Sequence, residues 1–373
     1  MKDEYPDGKS DLFAAFIERC TNLAGPRGAV AMITMQSWMF LSSYEKLRVA
    51  LLTKQRITSM LHLGARAFDS IGGEVVSSTA FVLANMPPEA RGSDQKCAGT
   101  FVRLVDGTSE AEKVAALGEA LQVRSKAVGF HLASDADFIA IPGSPIVYWL
   151  SENMRSAFVK AASRGSLGDA AGIAQGITTG DNGRFLRLWW EVSADESEFN
   201  RDYDSTTLTR RWQAADKGGD FRQWFGNNDW VIFWPDDGSE IVNFAGSTPR
   251  NIHTRFKPSI ACTKISSGGI SFRAHDRGFV FTDASVAATR DGDLDSILGF
   301  VNSSTAHHMM AALAPTLNFE VGQIRSLPWL VDTHDESTLG RTVRQLKSNS
   351  IDDWNAFETS WDFEGNSLIA LTC

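Results

Sequence analysis

The side chains best suited to binding chemistry in this sequence are basic residues concentrated between positions 250 and 290. Seven positive residues stand there against two negative ones, interleaved with four phenylalanines. The residues expected to contact a ligand are Arg250, Arg255, Lys257, Lys264, Arg273 and Arg277. Because Lys and Arg bind phosphates and Arg also reads base edges in a groove, this stretch predicts a DNA-binding surface. On composition alone, a solvated strand face explains the same residues.

No other set of side chains has the spacing of a catalytic or metal-binding motif. Walker-type phosphate loops, HExxH and GxSxG are all absent from the sequence. His307 and His308 are adjacent, and neighbouring residues on a helix point about 100° apart, so the two cannot chelate one ion together. His62 lies in an apolar run and is expected to be a hydrogen-bonded core residue. The sequence therefore predicts no metal site.

The composition is ordinary for a globular chain long enough to hold two domains. The 373 residues are 43% hydrophobic and 22% charged, with a net charge of −9. No run of about 18 apolar residues exists, and the polar N-terminus lacks the features of a signal peptide. The four cysteines lie far apart, which suits a reducing compartment. We expect a cytoplasmic protein that does not bind membranes.

The first part of the chain shows the alternation of an α/β fold. Apolar runs predict strands at 29–34, 57–63 and 75–84, the first of them buried on both faces, and a short strand at 99–105. A helix between the first two strands would make a right-handed βαβ unit with both strands in one parallel sheet. Nothing precedes this unit that could supply the Gly-rich turn of a doubly wound cofactor fold.

The helices of this part have recognisable starting signals. One is predicted from Leu12 with Ser10 as its N-cap, and Gly25-Pro26 would end it. A capping box of Ser42 and Glu45 predicts the second helix, and a third is expected over 109–124.

Three segments occur in the order and spacing of the later motifs of amino-type adenine DNA methyltransferases. They are DGKSDLFAAFIERC, GAVAMITMQSWMFLSSYEKLRVALL and ITSMLHLGARAFDSIGGEVVSSTAFVL. Over roughly residues 5–85 the chain most resembles the PglX-type methyltransferases of bacteriophage-exclusion (BREX) systems. In that family these segments follow the catalytic Asn-Pro-Pro-Tyr motif, and the glycine motif that binds S-adenosylmethionine (SAM) lies further upstream. Neither motif occurs in this sequence, so we expect the chain to begin just after the position of the Asn-Pro-Pro-Tyr motif.

The resemblance implies roles for three residues. Phe68 falls where the family carries an aromatic ring that stacks on the extruded target adenine. Asp11 and Phe13 fall on the helix that borders the methionine part of SAM, the cofactor of the complete enzyme. Without the resemblance, Phe68 is a core aromatic, and Asp11 is a first-turn acid favoured by the helix dipole. Methylation by this chain alone is not expected.

A second resemblance covers the later half. From residue 172, GIAQGITTGDNGRFLRLWW, the pattern changes to short aromatic strands and polar turns, including 230–234 and 278–282. This pattern predicts an α+β domain. The opening GITTGDNGRF and the closing ILGFVNSSTAHHMMAALAPTLNFEVGQIRSLPWL resemble the two ends of target-recognition domains in restriction-modification specificity modules. That resemblance implies double-stranded DNA as the partner.

Four regions are predicted from these observations. Residues 1–125 form the later half of a SAM-methyltransferase α/β sheet, 126–164 a connector, 165–330 the α+β target-recognition domain and 331–373 a helical tail that docks on the body or on a partner. The predicted function is DNA target recognition and the distal catalytic half of an adenine-specific (N6) DNA methyltransferase in phage defence or restriction-modification. A non-catalytic DNA-binding specificity subunit is one alternative. A degenerate interaction protein of a defence complex is the other. Partners besides DNA would be the missing N-terminal methyltransferase part or other defence proteins.

Overall fold

The chain forms two compact units in a computed structural model. The structure describes residues 4–70, 76–85, 98–199, 210–275, 278–314 and 317–365. The first unit is Met1–Val159 and the second is Lys160–Cys373. No helix within the described ranges is both long and apolar enough to cross a membrane.

The first unit is built on a five-stranded mixed sheet in the order β1-β3-β2-β4-β5. Its strands are β1 (Ala29–Met35), β2 (Gln55–Gly64), β3 (Ser78–Asn85), β4 (Gly99–Arg103) and β5 (Phe130–Ala133). The helices are α1 (Leu12–Leu23), α2 (Glu45–Lys54), α3 (Glu110–Val123), α4 (Asp135–Ile139) and α5 (Glu152–Arg164), the last of which extends past residue 159. The region predicted as a connector therefore supplies β5, which pairs with β4.

The predicted parallel direction of the first two strands is correct, but the sheet that holds them is mixed rather than parallel. β1 and β2 run the same way, because β3 pairs antiparallel with both of them. β3 thus lies between β1 and β2 in the sheet. The described residues between β2 and β3, 65–70 and 76–77, contain no helix, and the two strands pair in antiparallel register as strands joined without a crossover helix do.

Local details of β1 and the helix starts also differ from expectation. β1 is the edge of the sheet, and alternate side chains face solvent; Ile33 is 59% exposed. Asp11, rather than Ser10, occupies the N-cap position of α1. Ser42 begins a 3-10 turn, so it does not cap α2. Ser109 does cap α3, since its side chain accepts a hydrogen bond from Glu112 N at 3.3 Å.

The second unit contains two sheets and is α+β. One sheet has the order β13-β9-β10-β7, with β8 also pairing with β9, and the other has the order β12-β11-β14-β6. The strands are β6 (Gly172–Gln175), β7 (Leu186–Leu188), β8 (Ser197–Glu198), β9 (Trp212–Asp216), β10 (Trp230–Phe233), β11 (Ser259–Thr263), β12 (Phe272–His275), β13 (Val280–Phe281) and β14 (Ser285–Thr289). The helices are α6 (Leu167–Ala170), α7 (Asn182–Phe185), α8 (Ser239–Val242), α9 (Asp295–Val301), α10 (Ser304–Leu313), α11 (Val321–Arg325) and α12 (Thr333–Asn355).

The tail packs on the second unit. α12 lies against α9 so closely that a Cβ at Gly299 would come within 2.6 Å of Val343 Cγ2. Beyond α12, the Trp361 ring stacks on Phe199 with centroids 4.7 Å apart. The indole of Trp189 donates to Thr359 O at 2.9 Å. The described part of the tail, up to residue 365, therefore packs on the second unit, which is the first of the two docking places expected from the sequence.

Candidate functional site

The carboxyl ends of β1, β2 and β4 meet at one edge of the first sheet, and His62 is held there between two other side chains. His62 is 4% exposed; its Nε2 lies 2.8 Å from Gln36 Oε1, and its Nδ1 lies 3.0 Å from the Tyr148 hydroxyl. Burial, together with the charges of Arg103 and Lys113, lowers the pKa of His62 to about 3. The ring is therefore neutral: its Nε2–H donates a hydrogen bond to Gln36 Oε1, and its Nδ1 accepts one from the Tyr148 hydroxyl. The expected hydrogen-bonded core histidine is confirmed.

Aromatic rings and fixed positive charge surround this histidine. Trp149 stacks on His62 with ring centroids 5.7 Å apart, and Phe40 lies 5.9 Å from the same ring. The Arg103 guanidinium lies 5.6 Å from the Trp149 centroid. Lys113 links the ends of β2 and β4. Its Nζ donates to Leu63 O in β2 at 2.7 Å and to Leu104 O, directly after β4, at 2.9 Å. This edge is where open α/β sheets bind their ligands.

Two of the three residues implied by the first resemblance lie beside one ring. Phe13 is partly buried, with its ring 5.6 Å from that of Tyr44. Asp11 is exposed, and burial followed by the charge of Asp11 raises the pKa of Tyr44. Phe68 is partly buried in the loop after β2. The next residue, Asp69, fixes that loop through reciprocal hydrogen bonds with Glu110 at 2.8 and 3.1 Å.

In the second unit, Arg273 is a core residue. It is fully buried on β12, with Nη2 3.5 Å from Asp216 Oδ2, and His275 Nε2 donates to the same oxygen at 2.6 Å. Burial alone would raise the pKa of Asp216, but the charge of Arg273 and the hydrogen bond from His275 hold it below its usual value. A guanidinium with no exposed surface cannot contact DNA in this conformation. The prediction that Arg273 contacts DNA is therefore not retained.

Two further basic residues of the predicted surface are held by carboxylates of the same unit. Arg255 forms an ion pair with Asp237. Lys264 Nζ lies 3.7 Å from Glu320 Oε2. Each would have to leave an intramolecular partner, or share it, to bind a phosphate.

The remaining predicted contacts differ in their placement. Arg250 is exposed on the turn after α8 and forms no ion pair within the described part of the chain. Lys257 is partly buried. Arg277 lies outside the described residues. The structure thus separates residues that were adjacent in the sequence pattern, and Arg250 is the most accessible of those described.

The adjacent histidines point in different directions on α10. His308 Nδ1 lies 2.7 Å from Ser304 O, whereas burial lowers the pKa of His307. In the described ranges, no group of three His, Cys, Asp or Glu side chains is arranged to hold a metal ion.

Three residues whose side chains form hydrogen bonds in these regions were not predicted from the sequence. They are Gln36, Tyr148 and Asn182. Gln36 directly follows the apolar run of β1, which is a signal for a strand-end position. Tyr148 follows two prolines in a segment without a regular pattern, and no local signal placed it beside His62. Asn182 was noted only as part of a glycine-rich turn.

Comparison with known proteins relates nearly the whole chain to adenine methyltransferases. It is 36% identical over 374 residues to the adenine-specific methyltransferase PglX of Lacticaseibacillus casei (strain Zhang), covering 98% of this chain and 30% of the relative. It is 35% identical over 373 residues to the adenine-specific methyltransferase BrxX of Escherichia coli O9:H4 (strain HS), covering 99% and 29%. Residues 1–68 match the family described as Eco57I restriction-modification methylase. The chain thus spans about three tenths of the length of these relatives.

Among solved structures, the chain is similar in fold to the Type IIL restriction-modification enzyme MmeI, determined in complex with DNA. The TM-score is 0.51 at 10% identity, and the match covers 94% of this chain and 45% of that one. At this level of identity the likeness concerns the fold.

Proposed function

This chain is related along nearly its whole length to part of the PglX-type adenine-specific methyltransferases, and from this we propose that it serves the same reaction. Its first unit would contribute the distal half of a SAM-dependent catalytic domain. Its second unit would recognise the DNA target. The complete enzyme would transfer a methyl group to the exocyclic N6 amine of adenine in phage defence or restriction-modification. The observation that carries the proposal is the 36% identity to PglX over 98% of the chain.

For the first unit, we propose that Phe68 stacks on the extruded adenine. Its loop is held by the Asp69–Glu110 hydrogen bonds, so the ring has a fixed position near the carboxyl ends of the strands. An aromatic face recovers part of the stacking that a base loses when it leaves the duplex. Asp11 and Phe13 would border the methionine part of SAM.

Two family motifs that take part in SAM binding and catalysis are missing from the sequence of this chain. Asp11 and Phe13 lie beside Tyr44, but the sequence has neither the glycine-rich loop nor the Asn-Pro-Pro-Tyr motif of the family. No reaction step is therefore assigned to SAM bound by this chain alone. The same absence of motifs favours the second candidate function, a non-catalytic specificity subunit that only binds DNA.

For the second unit, we propose that basic residues with surface exposure, the exposed Arg250 and the partly buried Lys257 among them, bind the phosphate backbone and the grooves of duplex DNA. Arg255 and Lys264 would add to this surface by sharing their carboxylate partners with it. Charge-assisted contacts to phosphate release counterions, so the resulting affinity must fall steeply with salt.

The test is duplex-DNA binding by the purified chain across a salt titration, with SAM absent and then present. We expect an affinity that falls about a hundredfold between about 50 and 200 mM salt, as about four phosphate contacts imply, above a sequence preference that survives competitor DNA. Lys257→Ala should reduce the salt slope by about one, while Lys46→Ala, an exposed lysine of the first unit, should leave it unchanged. Absence of binding at low salt would contradict the proposal. A gain in affinity on adding SAM would favour the methyltransferase over the specificity subunit.

A further inference from the structure

Two loops that are far apart in the sequence are in backbone contact in the second unit. We call residues 178–184 and 246–251 the paired loops. Gly180 has φ +77°, and a Cβ there would lie 2.7 Å from Ser247 N and 2.8 Å from Gly246 C. Only glycine fits such a position. Thr178 and Thr248 add two backbone hydrogen bonds, Thr178 N to Thr248 O at 3.2 Å and the reverse at 2.9 Å.

Gln175 and Asp283 also hold the paired loops through side-chain hydrogen bonds. The Thr178 hydroxyl donates to Asp283 Oδ2 at 2.9 Å, and Gln175 Nε2 donates to Asp283 O at 2.8 Å. Asn251 Nδ2 in turn donates to Gln175 O at 2.8 Å. The contacts between the two loops and those to Gln175 and Asp283 fix the backbone of both loops. Side chains on a fixed backbone can be held in one position, which specific recognition requires.

Most of the polar side chains near these loops already have partners. Arg184 is 2.5 Å from Glu240 Oε1, and its guanidinium lies 5.2 and 5.0 Å from the Phe185 and Phe244 ring centroids. Arg187 donates to Leu186 O at 2.7 Å. These arginines stabilise the loops and are not available to a ligand without breaking contacts.

Asn182 and Arg250, one on each loop, are different. Both are exposed, and neither the Asn182 amino group nor the Arg250 guanidinium forms a hydrogen bond within the described part of the chain. Asn182 Oδ1 accepts from the buried Thr179 hydroxyl at 2.6 Å, which fixes the direction of its amide. Asn and Arg are the side chains that read adenine and guanine edges in the major groove.

We propose that the paired loops form the base-reading edge of the second unit, with Asn182 and Arg250 as specificity-determining residues. The inference rests on the proposed DNA target recognition and adds which residues distinguish one sequence from another. Of the basic stretch of 250–290 it keeps Arg250 for base reading and pairs it with Asn182 of a distant loop, because Arg255, Lys264 and Arg273 are ion-paired and Lys257 is partly buried.

The experiment uses the full chain and a randomised duplex library to find the preferred site. Competition with single-base variants of that site then measures the preference at each position for wild type, Asn182→Ala and Arg250→Lys. We expect each variant to lose about tenfold of preference at one or two base pairs, different for the two variants. Arg250→Lys keeps the charge, so its salt slope should equal that of wild type while the bidentate contact is lost.

Matched controls are Asn243→Ala, whose exposed side chain bonds Ser239 O within α8, and Arg341→Ala on α12. Both should keep every base preference. All substituted side chains are exposed, so we expect every variant to fold, and circular dichroism checks this. If Asn182→Ala and Arg250→Lys bind with unchanged preferences, or lose affinity equally for all sequences, the paired loops are not the reading edge although the chain binds DNA. Failure of wild type to bind any duplex would overturn the proposed function and this inference together.

Discussion

At the scale of single residues, the protonation of His62 depends on the fold. Its pKa in the folded chain is about 3, below the ordinary 6.5, because the ring is buried near Arg103 and Lys113. Between these values the unfolded chain binds a proton that the folded chain does not. Folding stability therefore falls as the pH drops below about 6.5, and this loss is complete only near the folded pKa. Between about pH 6.5 and about pH 5, His62 lowers the free energy of unfolding by about 2 kcal/mol.

We expect the urea midpoint of the wild-type chain to fall more between about pH 7 and about pH 5 than that of His62→Gln. Glutamine keeps a donor and an acceptor but cannot titrate, so the difference between the two slopes isolates the histidine. If the urea midpoint changed with pH equally in wild type and His62→Gln, His62 would not be neutral in the folded state. Asp216 does not interfere, because its pKa lies below its usual value and its contribution is lost only at lower pH.

The burial of Arg273 shows what a local pattern cannot reveal about a residue. Arg273 stands among other basic and aromatic residues, and nothing nearby in the sequence distinguishes it from Arg250. Its partner Asp216 lies on β9, in the other sheet of the second unit, and only the packing of the two sheets against each other brings the two charges together. Removing one member would leave an uncompensated buried charge, so Arg273→Ala would report folding rather than DNA contact.

At the scale of elements, β1 and α1 expose more apolar surface than a two-sided α/β sheet normally leaves. Ile33 on β1 is 59% exposed, and Leu12, Phe16 and Leu23 on α1 are 59%, 52% and 69% exposed. β1 also has one unpaired edge within the described sheet. Apolar side chains beside an open strand edge favour association with another polypeptide.

We expect this surface to make the isolated chain self-associate, and Ile33→Lys combined with Phe16→Glu to shift it toward the monomer. The charged side chains would have to be desolvated in any interface that covers β1 and α1. Sedimentation velocity over a range of concentrations measures the change. Val114→Lys on α3, where the native side chain is 70% exposed, is the matched control and should not alter the distribution. A double variant that sediments like wild type would show that β1 and α1 are not the associating surface.

The elements most accurately predicted are those with a strong local pattern. Helices α1, α2 and α3 and strands β1, β2 and β4 were predicted within a few residues of their bounds, because periodicity of apolar residues is a property of the segment itself. The insertion of β3 between β1 and β2 was not predicted, since strand order is decided by contacts between distant segments. For the same reason the glycine-rich turn at 172–190 was recognised, but its backbone contact with residues 246–251 was not.

At the scale of the whole molecule, the proposed DNA-binding role requires the positive charge of this acidic chain to be local. The net charge is −9, and several arginines and lysines of the second unit are neutralised by carboxylates. The exposed groups left to bind phosphate are few. Such a distribution weakens non-specific binding more than specific binding, because only the former depends entirely on phosphate contacts. Specificity would then come from fixed side chains such as those of the paired loops.

The two units also make a prediction about where recognition resides. The second unit has its own apolar cores, one around Phe185, Ile232 and Trp234 and another around Ala261 and Phe281, and its tail packs on it. We therefore expect a polypeptide of residues 160–373 to fold and to select the same DNA sequence as the full chain, measured by the same library selection. Any effect of SAM on affinity should require residues 1–159, since Asp11 and Phe13, which we propose border SAM, are there. If the shorter polypeptide folds but selects a different sequence, residues of the first unit take part in reading the DNA, and the division of roles between the units is wrong.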